Sequence, residues 1–336
     1  MHRRSFLTSA AACSVVSASA APIAVAQPAG RFAQAIAYSA QRDGASFLAI
    51  RNGVVLGEDY AGGNPDTRLP IGAGTRAFLA LLAASLAEDR LLRLDEPVAL
   101  TLGDWGAHPV KSGISIRALV TGVSGVAFGR SRERTLQAAL ALEPSDTPGL
   151  RFQNDPAPYV LFAEIARRKL VNARREPDPA RWLTTRTLLP IGCVPIGWAR
   201  SQDGAPLFHD GAAVSARGWA AAGELIRREG IWRAQQLADD DALREAMRGS
   251  FAEPRAGIGL WLAAPARDRE QPDVESDLWR AASPAPADLA MAAGAGGQRL
   301  YISPAERLVI VRQSRSMSAS GQWSDTQFLS LVYRDL

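Results

Sequence analysis

Cysteine and lysine are almost missing from this 336-residue chain. Cys13 and Cys193 are the only cysteines, and Cys13 falls in the N-terminal leader described below, so no disulfide framework can form. Lysine occurs only as Lys111 and Lys169, which leaves 38 − 2 = 36 arginines among the basic residues. They are scattered, no basic run exceeds Arg167-Arg168-Lys169, and the formal net charge is +4. That distribution excludes a nucleic-acid footprint. Histidine is limited to three residues, and neither a metal-ligand spacing nor a glycine-rich phosphate loop is present, so no metal or cofactor is expected. Uninterrupted apolar runs of the ~20 residues that span a bilayer are also lacking. What is there is ordinary globular composition, 47% hydrophobic and 21% charged. A chain of this length buries a sizeable core without staples.

The N-terminus reads Met1-His-Arg-Arg-Ser-Phe-Leu7, then a small and apolar stretch to Ile23, then Ala24-Val25-Ala26. Paired arginines, a mildly hydrophobic middle and an A-x-A site read as a twin-arginine export signal over residues 1–26. Ala10-Ala11-Ala12 before Cys13 lacks the leucine usual at a lipoprotein cysteine. The expectation is a periplasmic protein with no stable membrane span after cleavage. Losing Arg3 and Arg4 with the leader brings the formal charge to 4 − 2 = +2.

In the mature chain the apolar spacing predicts a helix over 31–42. A hairpin follows, from Ser46–Ile50 and Val54–Leu56 turned at Asn52-Gly53. A long apolar helix runs over 73–89. Helical patterns then dominate: 116–120, 135–142, 159–169, 180–189 and 216–228. Strand patterns return at 257–262, 298–302 and 308–311, before a last helix at 325–333. Strands at both ends with helices between predict an α/β fold. One sheet is built from residues 27–97 and 241–336, and a mostly helical domain, 98–240, is inserted between them. The Ala/Pro-rich stretch 281–287 reads as a loop.

The order of segments resembles the large family of serine β-lactamases, penicillin-binding proteins and related esterases and amide hydrolases. Leu69-Pro-Ile-Gly-Ala-Gly-Thr-Arg-Ala-Phe-Leu79 resembles the family's nucleophile helix, and Leu92-Arg-Leu-Asp-Glu-Pro97 its L-x-L-D-x-P turn. Ser115 to Gly125, Pro148 to Pro156, Gly211 to Leu225 and Ala292 to Pro304 resemble, in order, four further stretches that members share. The resemblance implies the β-lactamase/transpeptidase fold, with a central antiparallel sheet flanked by helices.

The chemistry departs from that pattern. The family's acyl transfer needs a serine one helical turn before a lysine, which places both on one face, with a tyrosine as a further relay. Here Ala73 stands at the serine position, Arg76 at the lysine, Asn154 at the tyrosine and Pro156 at the asparagine of Y-x-N. Alanine offers no nucleophile, and a guanidinium keeps its proton at neutral pH. No S-x-x-K occurs anywhere in the chain. Thr75, two residues after Ala73, points about 200° round a helix and faces elsewhere. Ser124 reads as a structural loop serine, His209 as a surface-loop residue and Cys193 as a packed thiol. No G-x-S-x-G elbow supports a triad through His108 or His209-Asp210.

The binding groove implied by the resemblance survives these changes. Its backbone N–H donors would come from Ala73 and from Ala295, on the strand carrying Gly294, with Arg76 as a fixed positive charge on the floor. Ala73, Arg76, Asn154, Gly294 and Ala295 are therefore the candidate ligand-binding residues. The alternative is that Arg76 pairs with an internal acid and fills space. The reading is a pseudoenzyme that binds or regulates, taking a cell-wall peptide or another small anionic molecule. Its competitors are an active hydrolase of esters, amides or β-lactams with a different nucleophile, and a purely structural envelope partner.

Overall fold

The computed structural model describes residues 30–264, 274, 276–279, 283–318 and 323–336. The export signal proposed for 1–26 lies outside the described residues, as do Ala281 and Ala282 of the proline-rich loop. Helix α1 (Ala33–Ala40) leads into strands β1 (Gly44–Arg51) and β2 (Val54–Asp59). Their turn residues Asn52 and Gly53 sit at φ 51° and 79°, the positive-φ pair that a two-residue hairpin demands. Strand β3 (Arg68–Pro70) pairs across the chain with β4 (Ala213–Ser215), and β5 (Ile231–Trp232) with β6 (Gln235–Gln236) forms a small separate hairpin. The remaining strands are β7 (Trp261–Leu262), β8 (Ala290–Gly294), β9 (Gln298–Ser303) and β10 (Leu308–Ser314). Among the described residues, one antiparallel sheet has the order β2-β1-β10-β9-β8-β7, so the two ends of the chain meet where β1 pairs with β10.

The sheet is covered on both faces, and the period-two alternation shows it. Leu48, Ala292, Leu300, Ile302, Val309 and Val311 point into one core, while Phe47, Ala49, Met291, Tyr301 and Ile310 point into the other. The second core is closed by α1 and by α9 (Asp325–Arg334), whose Phe328, Leu329 and Val332 are fully buried. The first is closed by α7 (Ala216–Arg227) and by α2 (Ala77–Glu88). In α2 every residue from Ala77 to Leu86 is buried, as expected of a helix that is apolar on all sides. Helices α3 (Ile116–Val120), α4 (Leu136–Ala141), α5 (Ala157–Asn172), α6 (Pro179–Leu183) and α8 (Asp240–Ala246) extend this core away from the sheet.

Three elements differ from the sequence expectation. The helix expected from residue 73 begins as a tight 3-10 turn, Gly72–Arg76, and becomes α-helical only at Ala77. The strand expected over 257–262 shrinks to Trp261–Leu262, because Gly257 and Ile258 bond to Leu260 and Ala246 instead. Finally α7, inside the 98–240 segment, packs on the sheet. A Cβ on its Gly223 would lie 2.8 Å from Leu300 Cδ1, so the missing side chain lets helix and sheet close together.

Candidate functional site

The Gly72–Arg76 turn is held from both sides. Ile71 N–H donates to Ala212 O at 3.1 Å, and Ala212 N–H donates to Thr75 Oγ1 at 3.0 Å. Thr75 is completely buried, with its hydroxyl committed to Ala212 N–H, and lines neither groove cavity. On the other side the turn abuts the end of β8. A Cβ at Gly294 would stand 2.2 Å from Ile71 O and 3.2 Å from Gly74 N, so only glycine permits this approach. Two fully buried arginines fix the following backbone. Arg299 Nη1 donates to Gly294 O at 2.9 Å, and Arg312 Nη1 donates to Gly296 O at 2.6 Å. Arg299 is neutralised by Asp325, which also accepts from Tyr301 Oη and Trp323 Nε1. Burial alone would raise the pKa of Asp325, but the Arg299 guanidinium outweighs it and holds the carboxyl below its ordinary value. The N–H groups of Ala73 and Ala295, each at the start of a 3-10 turn, have no intrahelical acceptor.

Arg76 lies on the groove floor. Its Nη1 donates to Asn154 Oδ1 at 2.5 Å, and its guanidinium carbon sits 5.0 Å from the centre of the buried Tyr159 ring. Its Nε is buried without a hydrogen-bond partner. Among the described residues Arg76 has no salt bridge, so the internal acid of the alternative reading is replaced by a neutral amide and a ring face. A cavity of about 520 Å³ opens on one side of it, lined by Ala73, Arg134, Pro156, His209, Asp210 and Ala295 as well. A second, of about 230 Å³, is lined by Ala73, Arg76, Asn154, Gly294, Ala295 and Arg299. All five candidate ligand-binding residues, and Pro156, thus border these two cavities. A separate cavity of about 420 Å³ lies between α5 and the start of α6, where Arg167 pairs with Glu164 and Arg200 with Asp178.

His209 requires a correction: it is not a plain surface-loop residue but lines the larger cavity beside Arg76. Burial, with the positive charges of Arg76 and Arg134, pushes its pKa down to about 4, so the ring is neutral at physiological pH. Its Nδ1 is buried and unpartnered. Asp210 is exposed at its outer edge, yet burial against the cavity wall raises its pKa, an effect that the charge of Arg76 opposes. Arg134 and Tyr159 were likewise missed. No local pattern marks them, because they reach the groove from the loop before α4 and from inside α5.

The other candidates lie elsewhere. His108 Nε2 meets Glu143 at 2.8 Å, and the same carboxylate takes Lys111 Nζ. Ser124 is buried, with its Oγ accepting from Val126 N–H. Cys193 is completely buried, which pushes its thiol up to about 12. Asp155 is committed to the N–H groups of Phe128, Gly129 and Ala157. Among the described residues lining the two groove cavities there is no serine, threonine, cysteine or lysine, and no His/Cys/Asp/Glu group could hold a metal ion. No helix among them is long and apolar enough to cross a membrane.

The family model for beta-lactamase matches residues 29–322. No curated protein is similar enough to count as a sequence relative. Solved structures that share the fold include a proposed beta-lactamase of Bacteroides dorei, 16% identical, with 90% of this chain and 96% of that one covered and a TM-score of 0.69. A family VIII carboxylesterase is 16% identical over 91% of this chain and 96% of its own, TM-score 0.68. A penicillin-binding protein homologue of Caulobacter crescentus is 16% identical over 91% and 98%, TM-score 0.65.

Proposed function

The chain belongs to the beta-lactamase family, and we propose that it is an exported, non-hydrolytic member whose groove binds a small carboxylate ligand. The observation that carries this reading is the environment of Arg76. A guanidinium with no salt bridge among the described residues sits on the floor of a cavity bordered by two N-terminal backbone N–H groups, where relatives with the fold are described as hydrolases. A guanidinium offers a bidentate fork to a carboxylate, and charge-assisted bonds of this kind are worth ~1.5–3 kcal/mol. Acyl transfer lacks its parts. Ala73 supplies no hydroxyl, Arg76 accepts no proton, and Asn154 is already bonded to Arg76. A cell-wall peptide with a free carboxylate is one ligand of the required chemistry.

The test has two arms. Fluorescent penicillin should not label the purified protein covalently. Calorimetric titration with acidic peptides should show binding that Arg76→Ala weakens by roughly tenfold to a hundredfold or more, equivalent to the energy above. Covalent labelling would establish a hydrolase with another nucleophile, and equal affinity in the variant would leave Arg76 a packing residue.

A further inference from the structure

Four ionisable side chains line the larger cavity: Arg76, Arg134, His209 and Asp210. The two guanidiniums carry fixed positive charge and can only donate. Asp210 brings one carboxylate, on which no hydrogen bond or salt bridge closes among the described residues. His209 adds no charge at neutral pH. The remaining acid near it, Asp155, is occupied by three backbone N–H groups. Buried polar atoms are nearly always paired, yet Arg76 Nε and His209 Nδ1, from two walls of the same cavity, are not. Two positive groups, one negative group and a neutral imidazole therefore face one space of about 520 Å³, a size that suits a small molecule.

Resting on the reading that Arg76 anchors a carboxylate, we propose that this cavity selects an acidic α-amino acid, a ligand with two carboxylates and one ammonium group. A monocarboxylate leaves Arg134 unmatched. A simple dicarboxylate matches both arginines but leaves the Asp210 carboxylate without a cation. A neutral amino acid leaves one guanidinium without a partner. The acidic amino acid meets all three charges: one carboxylate on Arg76, the other on Arg134, and the ammonium on Asp210 beside the neutral His209 ring. Arg134 is exposed at the rim, so its share is the smaller one.

The experiment is calorimetric titration of the purified protein at neutral pH with glutamate of both hands, glutarate and glutamine. One enantiomer of glutamate should bind about tenfold or more tighter than glutarate, which lacks the ammonium, and severalfold tighter than glutamine, which lacks the second carboxylate. Asp210→Asn should erase the preference over glutarate and leave that over glutamine. Arg134→Gln should do the reverse. Wild-type protein that binds glutarate as tightly as glutamate, in an Arg76-dependent manner, would overturn this inference alone. If none of the probes binds, or if Arg76→Gln leaves glutarate affinity unchanged, the carboxylate-binding reading falls with it. Discrimination that survives intact in both rim variants would also overturn the proposal.

Discussion

Arg76 Nη1 donates to Asn154 Oδ1 at 2.5 Å, so the two residues that the resemblance aligns with the family's lysine and tyrosine touch across the groove. What passes between them has changed. A lysine and a tyrosine can each give up a proton, whereas a guanidinium holds its own and an amide oxygen has none to give. The contact holds the cation in place and cannot pass a proton.

That contact predicts the outcome of rebuilding the site. Ala73→Ser with Arg76→Lys restores a nucleophile and a titratable amine, but Asn154 and Pro156 still supply no relay. Labelling by fluorescent penicillin should stay at background in the double variant and appear only when Asn154→Tyr is added. Labelling of the double variant at the rate of the triple variant would show that the Asn154 position is dispensable.

His209 should leave a mark on acid stability. Its folded pKa of about 4 lies below the ordinary value of 6.5, so between those limits the unfolded chain binds more protons than the native one. Stability therefore rises with pH across that window and is lost as pH falls from about 6.5 toward 4. Thermal melts between pH 7 and 4 should show this slope reduced in His209→Gln. An unchanged slope would mean that the imidazole is solvated in the native protein.

Asp325 pairs with the buried Arg299 guanidinium at 2.8 Å. Asp325→Ala removes this carboxylate from the buried charge and from Tyr301 Oη and Trp323 Nε1 as well, a change expected to cost about 3–5 kcal/mol. Denaturant titration measures it directly. Asp325→Asn keeps the shape and part of the hydrogen bonding and should cost less. Because the native carboxyl is held below its ordinary pKa, its stabilisation is complete above the unfolded carboxylate range and is lost as pH falls through the lower native value.

The proposal of export rests on Arg3-Arg4 and Ala24-Val25-Ala26. Replacing both arginines by lysine should strand full-length precursor in the cytoplasm, while the unaltered protein should have a mature N-terminus at Gln27. Cell fractionation with N-terminal sequencing checks both. Normal export of the double-lysine form would remove the twin-arginine assignment.

The antiparallel α/β architecture was legible because its signals are local. The Asn52-Gly53 turn, the alternation in 298–302 and 308–311, and the uniformly apolar α2 each report on neighbours within a few residues. The same locality explains the misjudged elements. Nothing in 257–260 announces that its backbone bonds will go to Leu260 and Ala246 rather than to a strand. The glycine that admits α7 to the sheet is informative only once Leu300 and Val309 stand opposite it.

The sequence by itself determined what this protein lacks: no S-x-x-K exists, and Ala73 and Arg76 carry neither nucleophile nor base wherever the chain places them. A side chain's chemistry is a property of its own atoms. What surrounds Arg76 was decided only by the tertiary structure, because residues 76, 134, 159 and 209 meet through the closure of β8 on the Gly72–Arg76 turn and the packing of α5 beneath it. Burial and the charge of neighbours then set the protonation of His209 and leave polar atoms unpaired, and both arise from contacts between segments that no local pattern encodes.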